Sequence, residues 1–377
     1  MEGRMEDRLR VGVIFGGRSG EHEVSLMSAS SVLQVLDPQR YAVTQVGISP
    51  RGEWLVARPG SSLNVLQAFQ DGRPELLASA AILPDPSHPG LYIINETRTS
   101  WDFLTGLDIV FPVLHGTFGE DGTLQGLLEL VDFAYVGAGV LGSAVGMDKG
   151  VFEAVMRAHN IPVVETQVFL RSELQADPQG VMARAEQVAP YPLFIKPANL
   201  GSSVGVSKVL SRSDLFEGLL EAARFDRRIL VQRGVNAREI EVAVLGNDTP
   251  QASIAGEILP SREFYSYEAK YVDNTSGLLI PAPIPADVAA LARRLAVQAY
   301  QAIDCAGMAR VDFLLDKDSG ALFLNEVNTI PGFTQISMYP KLWEATGVSY
   351  PQLVDRLIML ALERKAERDQ IERKYER

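Results

Sequence analysis

The chain has a single cysteine, Cys305, so no internal disulfide framework can form and a reducing compartment is implied. Basic residues are outnumbered: 35 Lys and Arg against 47 Asp and Glu give a net charge of −12, which repels nucleic acid and anionic membrane at long range. No apolar run approaches the roughly eighteen residues of a membrane span. The start "MEGRMEDRLR" passes directly to "VGVIFGG", without the apolar segment of a signal peptide. Two phosphate-binding signatures are missing as well. There is no Gly-Lys-[Ser/Thr] loop, and "GGRSG" lacks the spacing of a dinucleotide fingerprint. Internal repeats and low-complexity tracts are also lacking. These absences predict a cytoplasmic protein with no nucleic-acid and no membrane partner. ATP stays open, because a local cluster of lysines can override the global sign.

What is present describes a soluble α/β chain. Hydrophobic residues at 46% and charged residues at 22% are globular values, and 377 residues exceed one ordinary core, so two or three domains are expected. Val11–Phe15 reads as a buried strand, and "GGRSGEHEVSLMSASSVLQVL" as a glycine turn opening a helix. "DIVFPVLHG" is a second strand leading to a loop at His115-Gly116, while residues 51–100 read as an elaboration of this first part. Apolar residues at Val151, Phe152, Val155 and Met156 predict a helix. A second, "SDLFEGLLEAARF", has Ser213 as its expected N-cap. A third part begins near "ILVQRGV" and ends in an amphipathic helix from about Tyr350. The charged tail "ERKAERDQIERKYER" reads as a solvated helical end, and "IDCAGMARV" around Cys305 as core packing.

Two stretches carry chemistry. In "MARVDFLLDKDSGALFLNEVNTIPGFTQISMYPK" the apolar runs flank Asp316-Lys317-Asp318-Ser319-Gly320, so they should pair as a hairpin. Folded about Ser319, that hairpin sets Asp312 opposite Glu326 and Arg310 opposite Asn328 on one face, with Val311, Phe313, Leu324 and Val327 on the other. Carboxylates this close repel, and a hard cation such as Mg²⁺ resolves the conflict through Asp312, Glu326 and Asn328. The alternative is a solvated polar face with an Arg–Asp pair. In "FIKPANLGSSVGVSKV", Lys196 ends an apolar run, and Lys149 follows "GMD" just before a helix. Such lysines need an anion or lose their charge, and with the amides of Gly201, Ser202 and Ser203 they would clamp a phosphate. Each lysine alone could equally be a snorkelling surface residue.

The ordered motifs "GGRSGEHEVSLMSA", "LHGTFGEDGTLQGLLEL", "GMDKG", "IKPANLGSSVGVSKV", "REIEVAVLGN", "FYSYEAKY", "ARVDF" and "NEVNTIPGFTQISMYPK" resemble the D-alanine–D-alanine ligases of the ATP-grasp superfamily over nearly the whole chain. The resemblance implies three domains, with a Rossmann-like domain over 1–137 followed by ATP-grasp subdomains over 138–231 and 232–377. It implies ATP-dependent, ADP-forming ligation of two D-alanines through an acyl phosphate, for peptidoglycan precursor synthesis, and a homodimer. Lys149, Lys196 and Ser203 would serve ATP, and Glu239 its ribose. Asp312, Glu326 and Asn328 would hold two Mg²⁺, with Mn²⁺ as a substitute. Arg310 and the Gly332 amide would stabilise the oxyanion, with Glu21 and His115 at the first D-alanine and Ser337 and the Met338 amide at the second. Ser202 would join Tyr271 and Glu21 in a triad under a lid of roughly residues 263–279, from which Lys270 would reach the phosphoryl group.

One departure concerns the base. Many relatives carry Glu before the adenine-contacting backbone, and this chain has Gln232, whose carbonyl can still accept from the adenine amino group. The "YEAKY" motif around Tyr271 favours an amine nucleophile. The alternatives are a D-alanine–D-serine or D-alanine–D-lactate ligase, or a non-catalytic ATP-binding sensor. A sensor would have dropped a metal ligand or Arg310, and all of these are present.

Overall fold

The computed structural model describes residues 8–95, 97–201, 204–259 and 277–372. Three sheets organise them. The first is built from β1 (Leu9–Gly16), β2 (Tyr41–Ile48), β3 (Trp54–Val56), β4 (Ala78–Ile82), β5 (Leu91–Ile94), β6 (Trp101–Thr105), β7 (Ile109–Val113) and β8 (Ala134–Tyr135), in the order β6-β5-β4-β3-β2-β1-β7-β8. β1 lies between β2 and β7 and runs parallel to both. Its burial on both faces explains why Val11–Phe15 reads as a continuous apolar run rather than an alternating one. Residues 51–100 do elaborate this part, supplying the antiparallel strands β3, β4 and β5 that extend the sheet.

The carboxyl ends of β1 and β7 open side by side. After β1 the chain turns at Gly16, with φ of 90°, where a Cβ would stand 2.3 Å from the Ile48 carbonyl, and enters the His22–Val35 helix. After β7 it runs into Leu114 and His115. Loops at this edge of a parallel sheet form a crevice by construction.

The second sheet contains β9 (Thr166–Leu170), β10 (Leu193–Pro197), β11 (Ser207–Val209) and β12 (Arg228–Arg233), ordered β11-β10-β12-β9 and antiparallel. The Arg212–Phe225 helix covers one face with Leu215, Leu219 and Ala222. Its cap is Ser211, whose side chain accepts from the Asp214 amide, rather than the expected Ser213. Both serines precede the apolar face, and the extended backbone of Ser211 decides between them. In the Lys149–Ala158 helix Phe152 and Met156 are buried as expected, whereas Val151 lies on the exposed side.

The third sheet contains β13 (Ala237–Gly246), β14 (Gln251–Leu259), β15 (Gly277–Leu279), β16 (Gly307–Asp316) and β17 (Leu322–Asn328), ordered β15-β14-β13-β16-β17. The helices Ala286–Ala302, Met338–Ala345 and Tyr350–Arg368 pack around it. Cys305 is buried in this core. The charged tail is not simply solvated. Arg364 donates to the carbonyls of Tyr135 and Gly137, and Arg368 pairs with Glu129 and Asp132. The last helix thereby ties the third sheet to the first. No helix among the described residues is long and apolar enough to cross a membrane.

Candidate active site

A cleft of about 1370 Å³ opens where the three sheets meet. Every candidate residue within the described segments lines it: Glu21, His115, Lys149, Lys196, Gln232, Glu239, Arg310, Asp312, Glu326, Asn328, Gly332, Ser337 and Met338. Ser202, Ser203, Lys270, Tyr271 and most of the expected lid lie outside the described residues.

The floor is the β16–β17 hairpin, in the expected register. Arg310 pairs with Asn328 and Asp312 with Glu326, and an irregularity follows Asp312. On the other side of β16, Glu241 of β13 pairs with Asp312. Three carboxylates therefore stand in a row across three neighbouring strands. Arg310 neutralises part of the row: Nε donates to Asp312 Oδ1 and Nη2 to Asp312 Oδ2, each at 2.7 Å, and Glu241 Oε2 lies 3.1 Å from Nε. Burial works against the guanidinium charge, and Asp312 and Glu241 outweigh it, holding Arg310 protonated well above its ordinary range. Lys149 Nζ sits 3.8 Å from Glu326 Oε2 and donates to the Leu200 carbonyl at 2.9 Å.

Among the described residues no group of three or more His, Cys, Asp or Glu is placed to hold a metal ion by itself. The donors here are two carboxylates and an amide, all hard oxygens. That set fits Mg²⁺, which commonly takes one or two protein carboxylates and completes its shell with phosphates and water. Asn328 Nδ2 donates to Asp312 Oδ2 at 2.9 Å, so its amide would turn to present oxygen to a cation beside Asp312.

The second sheet supplies the opposite wall. Lys196 Nζ donates to Gln232 Oε1 at 2.7 Å, and Gln232 Nε2 donates to Glu153 Oε1 and Thr166 Oγ1, both at 3.1 Å. Burial lowers the affinity of Lys196 for its proton, an effect the carboxylate of Glu326 opposes. A buried ammonium of this kind gains from an incoming anion.

The substrate end is framed by the first sheet. Glu21 occupies the N-cap position of the His22–Val35 helix, makes no side-chain capping bond there, and is 9% exposed. A Cβ at Gly116, with φ of 73°, would come within 2.4 Å of Glu21 Oε2, and one at Gly201 within 3.0 Å. The carboxylate is thus wedged between two glycine backbones. His115 is buried with both ring nitrogens engaged, Nδ1 at 2.9 Å from the Ile330 carbonyl and Nε2 at 2.9 Å from Ser28 Oγ. Ser337 Oγ accepts from the Thr334 amide at 3.1 Å, and Met338 opens a helix whose first amides have no intrahelical acceptor. Such amides suit a carboxylate.

Two functional-looking residues are not among those the motifs single out. Glu120 is half-buried, accepts from the amides of Gly116 at 2.7 Å and Ile330 at 3.0 Å, and is pushed up to about 8 by desolvation and the nearby Glu21. It lies five residues after His115 in "HGTFGEDG". Glu241 lies two after Glu239 in "REIEVAV", and the period of a strand is signal enough to put both on one face.

Residues 10–138 match the family described as D-ala D-ala ligase N-terminus, and residues 155–359 the one described as D-ala D-ala ligase C-terminus. A D-alanine--D-alanine ligase of Thermoanaerobacter sp. strain X514 is 48% identical over 359 residues, spanning 95% of this chain and 97% of that protein. The solved D-alanine-D-alanine ligase of Coxiella burnetii superposes with a TM-score of 0.80 at 35% identity, covering 97% of both chains. The VanG D-Ala:D-Ser ligase of Enterococcus faecalis gives 0.83 at 36% identity, covering 94% of this chain and 99% of that one.

Proposed function

The chain belongs to the D-alanine–D-alanine ligase family, and on that premise we propose that it joins two D-alanines into D-alanyl-D-alanine, converting ATP to ADP and phosphate, for peptidoglycan synthesis. It is an ATP-using ligase of the α/β ATP-grasp fold. In this reading it divides into a substrate unit to residue 137 and two ATP-grasp subdomains, 138–231 and 232–377, and works in the cytoplasm. The observation that carries the reading is the row Glu241–Asp312–Glu326 crossed by Arg310, in the same cleft as Lys149 and Lys196.

A carboxylate is a poor electrophile, so one of its oxygens must first become a leaving group. The first D-alanine, its ammonium gripped by Glu21, attacks the terminal phosphorus of ATP through its carboxylate oxygen and releases ADP. Lys149 and Lys196 hold the phosphates and take up the charge spread over the transferring group. Asp312, Glu326 and Asn328 would hold Mg²⁺, two ions in the full form with Mn²⁺ as a substitute, neutralising the phosphate oxygens. The second D-alanine, its carboxylate on Ser337 and the Met338 amide, then attacks the acyl carbon through its amine. Arg310 and the Gly332 amide stabilise the tetrahedral oxyanion, which expels phosphate and leaves the peptide bond. Glu239 accepts from the ribose, and Gln232 faces the base. Ser202, Ser203, Lys270 and Tyr271, outside the described residues, would complete the site, Ser203 and Lys270 toward ATP and Ser202 and Tyr271 with Glu21.

The D-Ala:D-Ser ligase among the structural neighbours keeps D-serine as a second reading, since its likeness is at least as great as that of the D-alanine enzyme. A homodimer is also part of the proposal. It is supported by the Thr123–Leu130 helix, which buries Leu124 and Leu128 in its own core and leaves Leu130 65% exposed. The test is ADP release with MgATP and D-alanine and mass identification of the product, with L-alanine, D-serine and D-lactate in parallel. D-alanyl-D-alanine formed from D-alanine alone supports the reading. A mixed product with D-serine or D-lactate replaces the second substrate, and no turnover with any of them rejects ligation.

A further inference from the structure

The turn Ile330-Pro331-Gly332-Phe333 leaves the end of β17 and leads to Ser337 and the helix that begins at Met338. Its backbone polar groups are held from outside. The Ile330 carbonyl accepts from His115 Nδ1 at 2.9 Å, the Ile330 amide donates to Glu120 Oε1 at 3.0 Å, and the Phe333 amide donates to Ser28 Oγ at 3.2 Å. His115 Nε2 and Ser28 Oγ lie 2.9 Å apart and close the circuit. All three holding side chains come from the first sheet's surroundings, and the turn comes from the third.

Hydrogen-bond chemistry gives this circuit one direction. A carbonyl only accepts, so the His115 proton is on Nδ1, and in the neutral ring Nε2 must accept. Ser28 therefore donates its hydroxyl hydrogen to Nε2 and uses a lone pair for the Phe333 amide. Burial favours the neutral ring. Ser28 is completely buried, with its hydroxyl between two groups that have no water to turn to. An alanine at 28 would leave an amide and a ring nitrogen without partners on the two sides of Gly332.

We infer that Ser28 is a positioning residue, which with His115 and Glu120 fixes the Ile330–Phe333 turn and so aims the Gly332 amide into the cleft. What the amide is aimed at rests on the ligase reading above, while the clamp itself does not. Ser28 lies in "EVSLMSAS", seven residues beyond Glu21, on the helix whose N-terminal end carries that carboxylate. The same helix thus carries Glu21 at its start and braces the turn about two turns further on.

A group that positions a transition-state donor acts on kcat more than on binding. Ser28→Ala is expected to lower kcat by about tenfold to a hundredfold, while KM for ATP and D-alanine stay within about threefold. An unchanged kcat, or a fall in kcat matched by equal rises in both KM values and by loss of folded protein, overturns the inference. A second measurement does not depend on activity. With ¹⁵N-labelled histidine, His115 should show a proton on Nδ1 and none on Nε2 at neutral pH. Ser28→Ala should move the Nε2 resonance while Nδ1 keeps its proton. A wild-type His115 protonated on Nε2, or a resonance indifferent to Ser28→Ala, overturns the clamp whether or not the protein ligates. A wild type with the expected spectrum but no turnover would instead reject the ligase reading.

Discussion

Lys196 on β10 donates its ammonium hydrogen to Gln232 Oε1 on β12 at 2.7 Å, and the same amide spends its own donors on Glu153 and Thr166. Where the family resemblance leads one to expect a carboxylate, position 232 carries an amide, and a buried carboxylate stands one contact away, at Glu153. The amide is oriented by these neighbours, with its oxygen toward the lysine and the cleft.

Gln232→Glu should therefore destabilise the protein. The new carboxylate would still meet Lys196, but it would remove the Nε2 donor that Glu153 Oε1 accepts. It would also stand at hydrogen-bond distance from that carboxylate, already pushed up by burial, and this loss outweighs the added ion pair. A loss of about 1–3 kcal/mol is expected in denaturant unfolding. Adding Glu153→Gln should recover most of it, and losses that merely add would show that the two sites do not communicate.

Arg310→Lys keeps a positive charge but loses the fork that spans Asp312 and Glu241. A fall in kcat of roughly 10²–10³ is expected, the scale of losing one preorganised oxyanion donor. Steady-state kinetics decide the matter. A rise in KM at constant kcat would assign Arg310 to ground-state binding.

Glu326→Gln separates the cation's needs from the fold's. Its pair with Lys149 is long, at 3.8 Å, and partly solvated, so unfolding stability should change little. The Mg²⁺ concentration for half-maximal activity should rise by about tenfold or more, since a lost ligand weighs at least as much as a lost outer-shell partner. Equal Mg²⁺ dependence in the variant would remove Glu326 from the metal site.

Glu120 gives a pH signature. Its folded carboxyl is raised from 4.5 to about 8 by burial and by Glu21, so the folded state holds this proton more tightly than the unfolded chain does. The stability it contributes is present at low pH and is lost as pH rises from about 4.5 through about 8, with a limiting slope of roughly 1.4 kcal/mol per pH unit. Glu120→Gln should flatten that window in denaturant titrations between pH 5 and 8. Parallel curves for the two proteins would mean that Glu120 is ionised throughout.

The local part of the site is legible in the order of the residues. Strand period and turn composition put Arg310, Asp312, Glu326 and Asn328 on one face, and the register has Asp312 against Glu326 and Arg310 against Asn328. A short loop joins the two strands, so their pairing is settled by neighbours along the chain. Lys196 at the end of an apolar strand is open to the same reasoning, because burial of a charge demands a partner wherever the strand goes.

The rest depends on elements far apart along the chain. The Phe333 amide and Ser28 Oγ are separated by 305 positions, and Ile330 and Glu120 by 210. Nothing in local propensity distinguishes Ser28 from the other serines of its helix. Only the crossing of that helix with the turn after β17 gives its hydroxyl two partners. Arg364 and Arg368 read as solvated charge until the last helix lies against the first sheet and finds the carbonyls of Tyr135 and Phe133. Residue order is enough to say which side chains share a strand face and which charges need partners, since both follow from backbone period and desolvation. Which distant groups meet those needs is settled by tertiary packing, because hydrogen bonds form between positions in space, and residue order constrains those positions only across a few neighbours.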